Sequence, residues 1–242
     1  MKFLCVVGKK RSGKDTVADI IIAENPLAVK YALAKPIKEA LSYAYNMINL
    51  KNKSGVDLTR EHFDGIDPLT GQDYDRERPI NISNADAIEL MQTSVKYLEQ
   101  LLGLKQKKTV QVHSINSQIE SLLWNSTDYW CVRRFMQVLG TDIVVNLIDT
   151  QFWNRCMLNE FLNTDSEDTP YFIISDIRQE HEIQLMRDLG AIIIFVERED
   201  RINKNRIDDH ITEAGLKPAP TDIVIQNNGS IADLKSKVLE VI

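Results

Sequence analysis

The sequence has little cysteine: in 242 residues only Cys5, Cys131 and Cys156 occur, scattered and odd in number, with no C-x-x-C pair. That excludes a disulfide framework and fits a reducing, cytoplasmic compartment. It also lacks positive charge. The 29 lysines and arginines are outnumbered by 35 acids, a net charge of −6. A nucleic-acid binder working through its overall field is excluded, so any basic site must be local. No stretch approaches the ~20 apolar residues of a membrane span. The apolar pentad Phe3–Val7 is too short for a secretion signal and runs straight into charge. The Asn-x-Ser/Thr triplets at Asn81, Asn125 and Asn228 therefore carry no glycosylation meaning. Internal repeats and low-complexity tracts are missing too. His62, His113, His181 and His210 show no ligand spacing, and Leu185 stands where H-E-x-x-H would need its second histidine. No Ser-His-Asp or Cys-His set suggests a protein nucleophile.

What is present reads as a soluble globular chain, 43% hydrophobic and 26% charged. Short apolar runs alternate with helical patterns. Strands are expected at Phe3–Val7, Val29–Leu33, Tyr171–Ser175, Ala191–Val196 and Asp222–Gln226, and helices after Thr16, from Pro36, over Glu180–Leu189 and from Ile231. This alternation predicts an α/β fold with a parallel sheet covered on both faces. Residues 51–127 break the rhythm. They carry turn signals at Asp67-Pro68 and Thr70-Gly71 and a capping box at Ser83–Asp86, followed by one helical face of Ile88, Met91, Val95, Leu98 and Leu102. The expected organisation is a core of residues 1–50 and 128–242 and a mostly helical insertion of 51–127. Trp130–Leu162 is expected to be helical and to pack back onto the sheet.

The most specific local signal is Gly8-Lys-Lys-Arg-Ser-Gly13-Lys14, the spacing G-x-x-x-x-G-K between a strand and a helix. Four cations in so short a loop repel one another unless a polyanion is bound. The glycines let successive N–H groups turn inward, the helix adds its positive N-terminus, and Lys14 reaches phosphate oxygens. A basic turn at a strand end is the plain alternative. The residue after Lys14 is Asp15, where most such loops carry a metal-binding hydroxyl. Asp15 is thus a candidate magnesium ligand, directly or through water, and Thr16 a candidate for the α-phosphate. The nearest string to the guanine motif N-K-x-D is Asn203-Lys-Asn-Arg206, which ends in the wrong charge and argues against a GTPase switch. A small-molecule kinase needs further cations around the transferred group. The chain offers Arg76, Arg133, Arg134, Arg178, Arg198, Arg201 and Arg206.

Longer stretches carry a resemblance: GKKRSGKDT at 8–16, VKYALAKPIKEAL at 29–41, FDGID at 63–67, YDRE at 74–77, CVRRFMQVLGTDIVVN at 131–146, SDIRQEHE at 175–182, HITEAGL at 210–216 and DIVIQNNGS at 222–230. Together they resemble the deoxynucleoside monophosphate kinases of tailed phages, a branch of the P-loop nucleoside monophosphate kinases. Residues 68–73 look like an extra piece in the acceptor loop, and 87–127 match weakly.

The resemblance implies a P-loop three-layer α/β fold and direct transfer of the γ-phosphate of ATP, with Mg2+, to a deoxynucleoside monophosphate such as dGMP, dTMP or a modified dCMP. It further implies a homodimer in the host cytoplasm, with neither nucleic acid nor membrane as partner. It places Arg11, Ser12, Gly13, Lys14, Asp15, Thr16 and Asn228 around ATP, with Asn227-Asn228-Gly229 as an adenine-side loop, and Lys10 at the acceptor substrate. Lys38, Arg76, Arg134, Gln137, Gly140, Thr141 and Trp153 fall to the acceptor. Arg76 is the first choice for its phosphate, against a surface ion pair with Asp75 or Glu77. Arg134 is expected near phosphate and Gln137 near the base, and Gly140 and Thr141 are expected to end a helix there. Trp153 either walls the nucleoside or belongs to the core. Asp176 and Arg178 are implied at the transferred phosphate, with Glu182 holding Arg178 or a base amine. A lid is implied over about 197–210. Dephospho-coenzyme A kinase, phosphomevalonate kinase and a non-catalytic nucleotide-binding regulator are the rival readings.

Overall fold

The computed structural model describes residues 1–9, 11–104, 114–165, 167–199 and 216–242. Lys10 and residues 200–215, with Arg201 and Arg206, lie outside the described residues, and so does most of the expected lid. The chain divides into two compact units, Met1–Leu33 with Asn154–Ile242, and Ala34–Trp153.

The first unit is built on β1 (Lys2–Val7), β2 (Val29–Tyr31), β3 (Tyr171–Ile174), β4 (Ile192–Glu197) and β5 (Ile223–Gln226). They form one sheet in the order β2-β3-β1-β4-β5, and every pairing is parallel. The expected α/β fold with a parallel sheet is what forms. β1 lies in the middle, which is why its residues are apolar on both faces. Phe3, Cys5 and Val7 face a core with Met157 of α8 (Phe152–Asn163) and with Ile183 and Met186 of α9 (Glu180–Asp188). Leu4 and Val6 face the opposite core, shared with Val17, Ala18 and Ile21 of α1 (Lys14–Glu24) and with Leu234 and Val238 of α10 (Ile231–Leu239). Three layers result. Because all strands run the same way, the segments following Val7, Tyr31, Ile174, Glu197 and Gln226 leave the sheet along one edge, where ligands of open α/β sheets bind.

The second unit is helical: α2 (Lys35–Met47), α3 (Leu50–Ser54), α4 (Arg60–Asp64), α5 (Asn84–Leu101), α6 (Ile115–Leu123), α7 (Val132–Gln137) and a π-helix, Val138–Ile148. Pro36 opens α2, as expected of its fixed φ. The unit is wider at both ends than the expected insertion. α2 joins it because its buried stripe, Ala40, Leu41, Ala44 and Tyr45, packs along α5. Ser83 caps α5, its hydroxyl accepting the Asp86 N–H while the Asp86 carboxylate accepts the Ser83 N–H. Ile88, Met91, Val95 and Leu98 form the buried face, but Leu102 lies past the helix end and is exposed. α7 and the π-helix also belong to this unit, whereas α8, from the same expected helical stretch, places Met157 in the core of the sheet. Residues 66–73 close as a small hairpin, with an Ile66–Asp73 bridge and the Gly71 N–H on the Asp67 carbonyl. Among the described residues no helix is long and apolar enough to cross a membrane.

Candidate active site

The phosphate loop follows β1. Gly8 has no room for a side chain, since a Cβ there would lie 2.4 Å from Ser12 Oγ and 2.6 Å from the Val196 carbonyl. The loop turns through positive φ at Arg11 (66°) and Gly13 (99°), with the Ser12 N–H on the Lys9 carbonyl at 3.1 Å. Arg11 in this region costs about 1 kcal/mol, strain of the kind kept at functional positions. The first helical bond of α1 runs from Val17 to Gly13, and no side chain caps the helix. The N–H groups of Lys14, Asp15 and Thr16 therefore have no intrahelical acceptor. Ser12 is buried, and its Oγ has no hydrogen-bond partner among the described residues. A buried orphan hydroxyl costs about 1–3 kcal/mol, which a ligand oxygen would recover. Strained turn, open N–H groups and orphan hydroxyl together make an anion cradle.

Lys14 Nζ lies 2.8 Å from Asp15 Oδ2, and Ser175 Oγ donates to Asp15 Oδ1 at 3.2 Å. Burial pushes the Asp15 carboxyl up, but the Lys14 hydrogen bond and charge, Lys30 and Ser175 outweigh it, so its pKa lies below the ordinary value. An ionised carboxylate thus sits at the position of the usual hydroxyl. No cluster of three or more metal-type ligands exists among the described residues. That is compatible with Mg2+, which binds through one or two carboxylates together with substrate phosphates and water.

Beyond β3, Asp176 Oδ1 accepts the Leu33 N–H at 2.8 Å, tying the exit of β3 to the chain beyond β2. Glu182 is buried, and its Oε2 accepts the N–H groups of Arg178 (2.8 Å) and Gln179 (2.9 Å), which caps α9. Burial raises the Glu182 pKa to about 7, with the Asp176 charge adding to the rise and the two N–H groups opposing it. Glu182 thus accepts the Arg178 backbone N–H, and the Arg178 charge also opposes the rise. Beyond β5, the Asn228 carboxamide oxygen accepts the Glu199 N–H at 3.0 Å. The Asn227 N–H bonds the Glu197 carbonyl at 2.7 Å, and its side chain bonds the Ser12 carbonyl at 2.8 Å. The sequence singles out Asn228 over Asn227. The Asn227 contact spans 215 positions, and no spacing signals it.

The remaining candidates lie in the second unit. Lys38 Nζ is 2.6 Å from Asp64 Oδ1, and Arg60 pairs with the other oxygen of Asp64. Arg76 lies against the left-handed Gly65, where a Cβ would meet its Nε at 3.2 Å, and its Nη1 reaches the Phe63 carbonyl at 3.4 Å. The Arg133 N–H bonds the Arg76 carbonyl at 3.0 Å, and the Arg133 side chain pairs with Glu77 at 3.2 Å. The sequence offers Arg133 only as one of several spare arginines, and these contacts bring it to the Arg76 segment. Arg134 closes its own loop: it donates to the Asp128 and Tyr129 carbonyls and to Ser126 Oγ, and lies 3.9 Å over the Trp130 ring. Gln137 ends α7 with a buried Nε2 that has no partner among the described residues.

Gly140 and Thr141 do not end a helix as expected. They lie inside the π-helix, whose final bond runs five residues back, from the Asp149 N–H to the Val144 carbonyl at 2.7 Å. A Cβ on Gly140 would come within 2.7 Å of Ile37, so the glycine serves close packing against α2. Trp153 is 3% exposed and donates its indole N–H to the Gly140 carbonyl at 2.9 Å, the surroundings of a core tryptophan. π-Helical turns are rare and concentrate at functional sites.

Comparison with known proteins adds to this geometry. The family model described as deoxynucleotide monophosphate kinase matches residues 2–238. The chain is 39% identical to the deoxynucleotide monophosphate kinase of Enterobacteria phage T4, over 98% of this chain and 97% of that protein. It is 35% identical to the enzyme of the same name from Escherichia phage RB69, over the full length of both. A strand-borne phosphate cradle, a following parallel sheet of order β2-β3-β1-β4-β5 and a match along almost every residue agree: the chain belongs to the deoxynucleotide monophosphate kinase family.

Proposed function

We propose that this protein transfers the γ-phosphoryl group of ATP to the phosphate of a deoxynucleoside monophosphate, giving the diphosphate and ADP. The carrying observation is the cradle of residues 8–16, with its buried orphan Ser12 Oγ ahead of an uncapped helix. The names of the two phage relatives support the choice of acceptor. Phosphoryl transfer passes through a loose transition state, so cations and positioning supply most of the catalysis. In this reading, Lys14 and the N–H groups of α1 hold the donor phosphates. Asp15 is the protein's oxygen ligand to Mg2+, which would neutralise phosphate charge. Asp176 and Arg178 serve the transferred group, and Glu182 sets the backbone from which Arg178 projects. Lys38 and Arg76 bind the acceptor phosphate, and Gln137, with its spare N–H donor, reads the base. Arg134 clamps the loop before α7.

The direct test is ADP formation from ATP and Mg2+ with each common nucleoside monophosphate, ribo and deoxy. Turnover that depends on deoxynucleotides is the expected result. ATP hydrolysis indifferent to every acceptor would overturn the proposal. Arg76→Ala should raise the acceptor KM about 10- to 100-fold, the worth of a charge-assisted pair to phosphate. The KM for ATP should stay near its original value. Equal rises in both would remove Arg76 from the acceptor site.

A further inference from the structure

Asn227 enters above only as one member of an adenine-side loop, yet its side chain grips the phosphate loop. We propose that Asn227 is a positioning residue that fixes the direction of the Gly13 N–H, and so sets the affinity for the donor phosphates. The inference rests on reading residues 8–16 as the phosphate cradle.

The argument is geometric. The Ser12 carbonyl can only accept, so the Asn227 carboxamide presents its NH2 end, at 2.8 Å. In a planar trans peptide the carbonyl and the following N–H point in opposite directions. Holding the Ser12 carbonyl toward β5 therefore turns the Gly13 N–H the other way. Without the grip the peptide would be easy to rotate. Gly13 has a φ of 99°, in a region where glycine moves between conformations at little cost, and its neighbour Arg11 is already strained. Asn227 is itself well anchored, since its own N–H bonds the Glu197 carbonyl at 2.7 Å. The fit is close on the other side as well. A Cβ on residue 13 would lie 2.4 Å from Asn227 Nδ2, so Asn227 in this position leaves room only for glycine at 13. The contact ties the segment after β5 to the loop after β1.

The test is ADP affinity by calorimetry on the full chain and on two variants, Asn227→Ala and Asn227→Leu; the leucine keeps the volume but cannot donate. Loss of one directed donor to phosphate should weaken ADP binding about 10- to 30-fold. The KM of the acceptor and the melting temperature should stay close to those of the parent. The Gly13 amide signal, which should move strongly when ADP binds the parent, should move far less in the leucine variant. Unchanged ADP affinity in a folded variant would overturn the proposal, as would equal losses for ADP and acceptor. Two variants that both fail to fold would make Asn227 a brace of the fold and overturn it likewise. A parent protein that does not bind ADP would instead overturn the phosphate-cradle reading itself.

Discussion

Replacing Lys14 with alanine is expected to lower kcat by about two to three orders of magnitude, the effect of removing one preorganised charge from a phosphoryl or oxyanion site. The fold should survive. Lys14 is the first residue of α1, alanine is the best helix former, and among the described residues Lys14 pairs only with its neighbour Asp15. Lys14→Arg should rescue little, because a planar fork cannot replace a compact ammonium in a loop this tight. Steady-state turnover alongside thermal unfolding separates the two effects. A folded Lys14→Ala enzyme with near-normal turnover would remove Lys14 from the chemistry.

The second large effect concerns Glu182. Substitution by alanine leaves the N–H groups of Arg178 and Gln179 without their acceptor in a buried place, at a cost of about 2 kcal/mol or more. Glutamine keeps a carbonyl oxygen there and should retain most of the stability and turnover. The two variants also expose a pH dependence. The folded protein holds the Glu182 proton with a pKa of about 7, against an ordinary value of 4.5. Between those values the folded state binds more protons than the unfolded one, so stability falls as pH rises. The contribution is fully present below the ordinary pKa and is lost as pH passes through about 7. It amounts to about 3 kcal/mol. Denaturant unfolding at about pH 5 and about pH 8 should show the parent losing that much relative to Glu182→Gln. Parallel profiles for the two proteins would show that Glu182 stays ionised throughout.

Much of the architecture is legible in the residues, because the forces behind it are local. Phe3–Val7 and Tyr171–Ile174 are continuous apolar runs, as a doubly covered parallel strand requires. Ser83 and Asp86 announce the start of α5, and Gly8, Gly13 and Lys14 announce the cradle. What escapes is set by tertiary contact. Val138–Ile148 is apolar in a way that suits an α-helix as well as a π-helix, and nothing in its composition reports the wider turn. Polarity changes at 51 and 127 and so suggests those edges for the second unit, whereas the packing of α2 along α5 carries its start back to Ala34. Arg134 and Trp153 carry side chains suited to ligands, but they donate to carbonyls and, for Arg134, a serine hydroxyl of their own unit. Asn227 bonds across 215 positions, beyond the reach of any pattern.

The ion pair between Lys14 and Asp15 gives the loop a counterion of its own. An incoming anion must draw Lys14 away from a carboxylate already at contact distance, and one isolated phosphate group has few further contacts with which to offset that loss. A chain of phosphates can also engage the helix N-terminus and the Ser12 hydroxyl, and so it can win the exchange. The resting loop should therefore stay clear of free inorganic phosphate at concentrations that would fill an unpaired cradle. Removing the internal rival, as in Asp15→Asn, should allow phosphate to compete with ADP, and competition unchanged from the parent would show that the pair offers no such protection.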